Sequence, residues 1–137
     1  MEIVYKKGAI PQAEDVKRLY EDAGWTAYTS DMASLMDALS QSLLVVTAWD
    51  KGVLVGLSRS VGDGLTIVYI QDILVLGSHQ RKGIGSRMMQ EIMEVYQKVR
   101  QKVLLTDDST ETRGFYQALG FMPCNKADMV AYVKFGR

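Results

Sequence analysis

Two spacings of apolar residues alternate along this chain, one of about 3.6 and one of 2, and they mark out helices and strands in turn. Glu2 to Lys6 reads as a short first strand. Pro11 opens a helix that runs to about Ala23, with Val16, Leu19, Tyr20 and Ala23 on one face and Gly24 as its stop. Asp31 is placed to cap a second helix, in which Met32, Leu35, Met36 and Leu39 fall at i, i+3, i+4 and i+7. The period then shifts. Leu43 to Trp49 is a strand, Asp50-Lys51-Gly52 a hairpin turn into Val53 to Ser60, and Gly62-Asp63-Gly64 a turn into a long strand from Leu65 to about Leu76. Ile84 to Arg100 carries the strongest helical stripe, through Ile84, Met88, Ile92, Val95, Tyr96 and Val99. Val103 to Thr106 reads as a strand, about Thr110 to Leu119 as a helix ended by Gly120, and Met129 to Phe135 as a final strand. The order β-α-α-β-β-β-α-β-α-β implies an α/β domain with a mixed sheet.

Length and charge narrow this picture. A chain of 137 residues suits one domain, 1–137, with one substantial core. Lys plus Arg and Asp plus Glu number 16 each, so no overall positive field selects a polyanion, and nucleic acid is not expected as a partner. Cys124 is the sole cysteine, which rules out an internal disulfide and suits a reducing compartment. The start Met1-Glu2-Ile3-Val4-Tyr5-Lys6-Lys7 lacks the pattern of a secretion signal, and no apolar run approaches the roughly 20 residues of a membrane helix. The expectation is a cytoplasmic protein with no membrane association.

Chemistry concentrates where the long strand gives way to the strongest helix, at Gly77-Ser78-His79-Gln80-Arg81-Lys82-Gly83-Ile84-Gly85-Ser86. Glycines at 83 and 85 leave the first N–H groups of the helix open to close approach by an anion, and the helix dipole favours negative charge there. A phosphate is the natural ligand. A Walker loop would need Lys after the glycine, whereas Lys82 precedes it, and Met88 stands where a dinucleotide fingerprint needs its third glycine. What remains is Q-x-x-G-x-G, from Gln80 to Gly85. By itself this is matched as well by a glycine turn that merely starts a helix. A second segment, Phe115-Tyr116-Gln117-Ala118-Leu119-Gly120-Phe121, places Phe115 and Leu119 one turn apart, with Gly120 as a left-handed cap.

Together the two motifs resemble those of the Gcn5-related N-acetyltransferase (GNAT) superfamily. The resemblance implies a GNAT fold, with a mixed, mostly antiparallel sheet of about six to seven strands flanked by about four helices. It implies acetyl-coenzyme A as co-substrate and no metal. Leu74 and Val75 would then offer main-chain hydrogen bonds to the pantetheine arm, and Gln80, Arg81, Lys82, Gly83, Ile84, Gly85 and Ser86 would hold the pyrophosphate. A main-chain N–H near Val75, at a splay or bulge, would stabilise the oxyanion. Tyr116 would protonate the departing thiolate. Where the family often has an asparagine, seven residues before that tyrosine, this chain has Ser109, whose hydroxyl reaches less far.

Base and acceptor pocket are less sharply marked. Asp72 lies in the apolar run Tyr69-Ile70-Gln71-Asp72-Ile73-Leu74, where a carboxylate needs a partner. It reads equally as the base that takes the amine proton and as a structural acid bonded to a neighbouring element. Glu21, Asp31 and Asp63 read as caps or turn residues, and His79 as an exposed loop residue. Trp25 and Tyr28 either wall an amine site, by cation–π contact, or are core aromatics under a loop. Gly24-Trp25, Leu39-Ser40-Gln41-Ser42, Leu54 to Arg59 and Asp63-Gly64 are similar to a GNAT branch that contains arylalkylamine acetyltransferases. The resemblance implies an N-acetyltransferase acting on a primary amine of a small molecule by direct attack in a ternary complex. A coenzyme A-binding module without turnover and an enzyme acting on protein amines are the alternatives. Sheet edges and eight methionines point to a homodimer.

Overall fold

The computed structural model describes residues 2–136. Strands β1 (Ile3–Lys7), β2 (Leu44–Asp50), β3 (Val53–Gly62), β4 (Ile67–Val75) and β5 (Gln101–Leu104) form one sheet in the order β1-β2-β3-β4-β5. The first three pairings are antiparallel, and β4 with β5 is parallel. Helices α1 (Ala13–Asp22), α2 (Thr26–Thr29), α3 (Met32–Ser40), α4 (Ile84–Val95) and α5 (Thr110–Ala118) complete the α/β architecture. These residues divide into two compact units, one up to Leu105 and one from Thr106 onward. Among the described residues no helix is long and apolar enough to cross a membrane.

In the first unit β3 is the central strand, buried on both faces. Leu54 and Leu57 join Val16, Leu19 and Tyr20 of α1 and Leu35 and Leu39 of α3 in one core cluster. The opposite face carries α4. Gly56 permits its close approach, because a Cβ there would sit 3.1 Å from the Met88 methyl and 3.3 Å from Ile84 Cγ2. Thus α4, the helix behind the glycine motif, is set by a position without a side chain. As the sequence pattern implies, Asp31 caps α3, its Oδ1 accepting from the Ser34 N–H at 3.1 Å.

Two bulges shape the sheet. Ala48 pairs with Gly56 but Trp49 with Leu54, so Val55 is an extra residue in β3. Arg59 pairs with Asp72 but Ser60 with Ile70, so Gln71 is an extra residue in β4. A bulge re-aims side chains and increases twist. Here it brings the consecutive residues Gln71 and Asp72 to the same cleft, described below.

Among the described residues the sheet has five strands rather than six or seven. Met129 to Phe135 has the composition of a strand, but it has no ladder among the described residues and its large side chains are exposed. A strand needs a partner for its backbone, which composition cannot supply. The helix count is five because Thr26–Thr29 adds one turn between the two early helices. The long helix α4 stops at Val95, with Tyr96 as its cap, so Val99 reaches the core from a loop.

Candidate active site

The site in the first unit starts from an interrupted ladder. β5 pairs with β4 only from Ile67 to Ile70, leaving β4 from Gln71 to Val75 without a strand on that side among the described residues. Which main-chain groups face this open edge follows from the pairing with β3. The Leu76 N–H donates to the Val55 carbonyl at 2.9 Å. Antiparallel ladders alternate, so Leu74 also directs its N–H and C=O into β3, and Ile73 and Val75 direct theirs to the open edge. The Val75 carbonyl there accepts from Gln80 Nε2 at 3.2 Å. Its N–H faces the edge as an available donor direction. Gln80 therefore ties the loop back onto the strand.

Beyond the strand, a 3₁₀ turn (Gly77–His79) leads to α4. Asp22 Oδ2, at the end of α1, accepts from the Gly77 N–H at 2.9 Å, and His79 Nε2 meets Asp50 Oδ2 at 2.8 Å. His79 is half-buried and paired, a loop anchor rather than an exposed residue. Arg81 is left-handed, with φ +61°, and Gly83 follows at φ +80° as the N-cap of α4. No side chain caps that helix. Its first bond of the helical kind runs from the Arg87 N–H to the Gly83 carbonyl, so Ile84, Gly85 and Ser86 carry first-turn N–H groups that the helix cannot satisfy. A Cβ on Gly83 would meet no atom within 4 Å, so the space at the helix start is open. Lys82 is exposed beside it. An open edge ending in an uncapped helix start fits an extended ligand with amides along its length and a phosphate at its end.

A second feature of the same unit is a cleft of about 430 Å³, lined by the 24–28 segment together with Gln71 and Asp72. It brings together the three acceptor-side residues singled out in the sequence, Trp25, Tyr28 and Asp72. Tyr20 packs edge-on against both aromatics, with ring centroids 6.0 Å from Trp25 and 5.5 Å from Tyr28. Asp72 is only 2% exposed. Its Oδ2 accepts from Arg59 Nε and from the Tyr20 hydroxyl, both at 2.8 Å, and its Oδ1 accepts from the Tyr28 hydroxyl at 3.2 Å. Gln71 Nε2 in turn donates to the Tyr28 oxygen at 3.1 Å. Arg59 lies opposite Asp72 in the sheet register and is itself buried. Burial opposes its charge, but the hydrogen bond and charge of Asp72 outweigh that, and the guanidinium is held above its ordinary pKa. The Tyr20 phenol is driven far above the usual tyrosine range by burial and by the adjacent carboxylate.

One partner of Asp72, Arg59, can be found in the sequence, although the chemistry-bearing motifs do not point to it. Arg59 and Asp72 are lone charges in two apolar strands joined by a turn at Gly62 to Gly64. Opposite charges isolated in hairpin-linked strands are a pairing signal. Tyr20 gave no such signal, being one more position on the apolar stripe of α1.

In the second unit, Ser109 is the N-cap of α5, its Oγ accepting from the Thr112 N–H at 3.2 Å. Tyr116 is half-buried, edge-on to Phe115 at 4.9 Å and to Phe121 at 6.0 Å between centroids. Gly120 has φ +92°, the left-handed turn that brings the Phe121 N–H back to the Tyr116 carbonyl at 3.0 Å. Burial and then the Asp107 carboxylate raise the Tyr116 phenol above its ordinary value, opposed by a hydrogen bond from Thr106.

Known proteins share this architecture. GNAT protein SP0256 of Streptococcus pneumoniae is 38% identical, with a TM-score of 0.88 over 99% of each chain. AAC(6')-Iy, an aminoglycoside N-acetyltransferase solved in complex with CoA, has a TM-score of 0.73 over 99% of this chain and 94% of its own, at 18% identity, a likeness of fold. A curated Gibberella zeae protein bearing an acetyltransferase name is 35% identical over 72 residues, and the matched part spans 50% of this chain and 39% of that protein's length. The sequence profile of the "Acetyltransferase (GNAT) family" matches residues 12–121, most of the chain and both motifs, and the protein belongs to that family.

Proposed function

We propose that this protein transfers an acetyl group from acetyl-coenzyme A to a primary amine of a small molecule. The observation that carries this is the open edge of β4 running into the uncapped start of α4. Ile73 and Val75 would meet the pantetheine amides through their main chain, and the N–H groups of Ile84, Gly85 and Ser86 would hold the pyrophosphate, with Lys82 and Arg81 adding positive charge. Membership of the family and the CoA complex of AAC(6')-Iy support this choice of donor. The aminoglycoside enzymes among the neighbours support an amine as acceptor.

The cleft beside Asp72 is the proposed acceptor site. Trp25 and Tyr28 offer ring faces to an ammonium ion or to its apolar substituent. A carboxylate oxygen can accept two hydrogen bonds. Among the described residues Oδ2 already takes two and Oδ1 takes one, so Oδ1 retains capacity for an amine N–H. Asp72 thus orients the amine and draws off its proton. The freed nitrogen lone pair attacks the thioester carbon and the C–N bond forms; as the C–S bond breaks, Tyr116 supplies a proton to the departing thiolate, and its phenolate then takes the second proton from the nitrogen. The Val75 N–H is the proposed donor to the developing oxyanion. The reaction runs within one ternary complex in one domain.

Calorimetric titration with acetyl-coenzyme A tests the donor site. Wild type is expected to bind in the micromolar range, and Gly83→Glu with Gly85→Glu is expected to abolish binding while circular dichroism shows an intact fold. Absence of binding by folded wild type would overturn the proposed activity.

A further inference from the structure

The charge balance of the cleft beside Asp72 restricts which amines it can take. Of the residues that line it, Asp72 is the one acid and none is basic, the rest being Gly24 to Tyr28 and Gln71. That acid is already matched. Arg59 Nε lies 2.8 Å from Oδ2 and both residues are buried, so the pair carries no net charge. Oδ2 accepts two hydrogen bonds and Oδ1 one, which leaves a place for a single N–H donor. Glu21 and Asp22, the acids that precede this segment, do not line the cleft, and Asp22 is engaged by the Gly77 N–H. A second ammonium on the acceptor would therefore give up water for no carboxylate, or stay outside and forgo contact. A carboxylate on the acceptor would lie beside Asp72 with no cation among the lining residues, a repulsive arrangement.

What the cleft offers instead is ring surface. The Trp25 and Tyr28 rings both line it, 6.1 Å apart between centroids and tilted by 40°, so they form a wedge. The wedge is held in place before any ligand arrives. Tyr20, wholly buried, packs edge-on against both rings, and the Tyr28 hydroxyl is fixed between Asp72 Oδ1 and Gln71 Nε2. A flat group between such rings gains edge-on or offset contact with each, and being rigid it loses little freedom there. We infer that the acceptor is a monoamine with a flat, uncharged substituent, its ring seated against Trp25 and Tyr28 and its nitrogen at Asp72 Oδ1. Trp25 and Tyr28 are then the residues that set specificity, and the Arg59–Asp72 pair is what turns away polyamines and amino acids. This assignment rests on the acetyl transfer and the acceptor cleft proposed above.

Initial rates of thiol release at saturating acetyl-coenzyme A, with matched amines, test this. Phenylethylamine and butylamine differ by the ring, butylamine and diaminobutane by a second ammonium, and phenylethylamine and phenylalanine by a carboxylate. Wild-type kcat/KM is expected to be about tenfold or more higher for phenylethylamine than for butylamine. Diaminobutane and phenylalanine should each fall about tenfold or more below the partner that lacks the extra charge. Trp25→Ala should narrow the preference for the ring. Trp25→Glu, which sets a second carboxylate in the cleft, should move the preference toward diaminobutane. Calorimetric affinity for acetyl-coenzyme A checks that each variant is folded, and the wild-type ratios decide the matter even where a variant is not. Equal turnover within any pair, or a preference for the extra charge, would overturn the monoamine assignment and leave acetyl transfer to small amines standing. A wild type that binds acetyl-coenzyme A but acetylates none of the four would overturn the acceptor cleft itself.

Discussion

Asp72→Ala is expected to lower the free energy of unfolding by about 3–5 kcal/mol, the cost of removing one partner from a buried ion pair. The reason lies in what the carboxylate leaves behind. Arg59 is 7% exposed, and its Nε would face an empty position that Asp72 Oδ2 now occupies at 2.8 Å. Among the described residues its remaining side-chain partner is the Ser42 hydroxyl, at 3.5 Å. The Tyr20 hydroxyl, wholly buried, would lose its acceptor as well. Asp72→Asn keeps an oxygen for one donor and should cost less. Replacing both charges, as Arg59→Met with Asp72→Leu, should recover much of the loss, because the pair repays little beyond its own desolvation. Urea unfolding of the four proteins, with m-values compared, measures this directly. A loss below about 1 kcal/mol for Asp72→Ala, the size of an exposed pair, would show that water reaches Arg59 freely. Because Asp72 also lines the cleft, activity is to be read well below each variant's unfolding transition.

That double duty explains how the candidate site was legible and where it was not. The glycine motif could be read because its chemistry is local: Gly83 has to be left-handed, and Ile84 to Ser86 have to start a helix, whatever lies around them. Likewise Asp31 and Ser109 are caps by virtue of neighbours three residues away. The placement of Gln71 depends instead on a bulge defined by two strands, and no property of Gln71 announces it. The direction of the Leu74 and Val75 backbones depends on register, which hairpin lengths alone leave open by one residue. Such a slip exchanges the inward and outward groups. Asp72 showed in the sequence as a charge that required a partner, but naming those partners required seeing three donors converge on it. The tail from Met129 to Phe135 is the converse case: strand composition was legible, whereas a ladder needs a partner strand, which is not a local property.

Tyr116→Phe is expected to lower kcat by about 10²–10⁴-fold, the range for loss of one general acid or base, while calorimetric affinity for acetyl-coenzyme A stays unchanged. Phenylalanine preserves the edge-on packing with Phe115 and Phe121, so the helix and its Gly120 turn should survive and the loss should fall on the proton alone. The pH dependence has a definite sign. An acid acts only while protonated, so activity is lost as pH rises through its pKa. Burial and the Asp107 charge raise the Tyr116 phenol, which moves that loss to higher pH than an ordinary tyrosine of about 10. Wild-type kcat should therefore show no decline assignable to Tyr116 below pH 9, and an alkaline decline above that point should disappear in Tyr116→Phe. Asp107→Asn removes the second cause and should shift that decline downward without changing the plateau. Thiol release by the amine that gives the fastest turnover, followed from pH 6 to pH 11, resolves these outcomes. Full turnover in Tyr116→Phe would assign the leaving-group proton to water, and Tyr116 to the packing of its own helix.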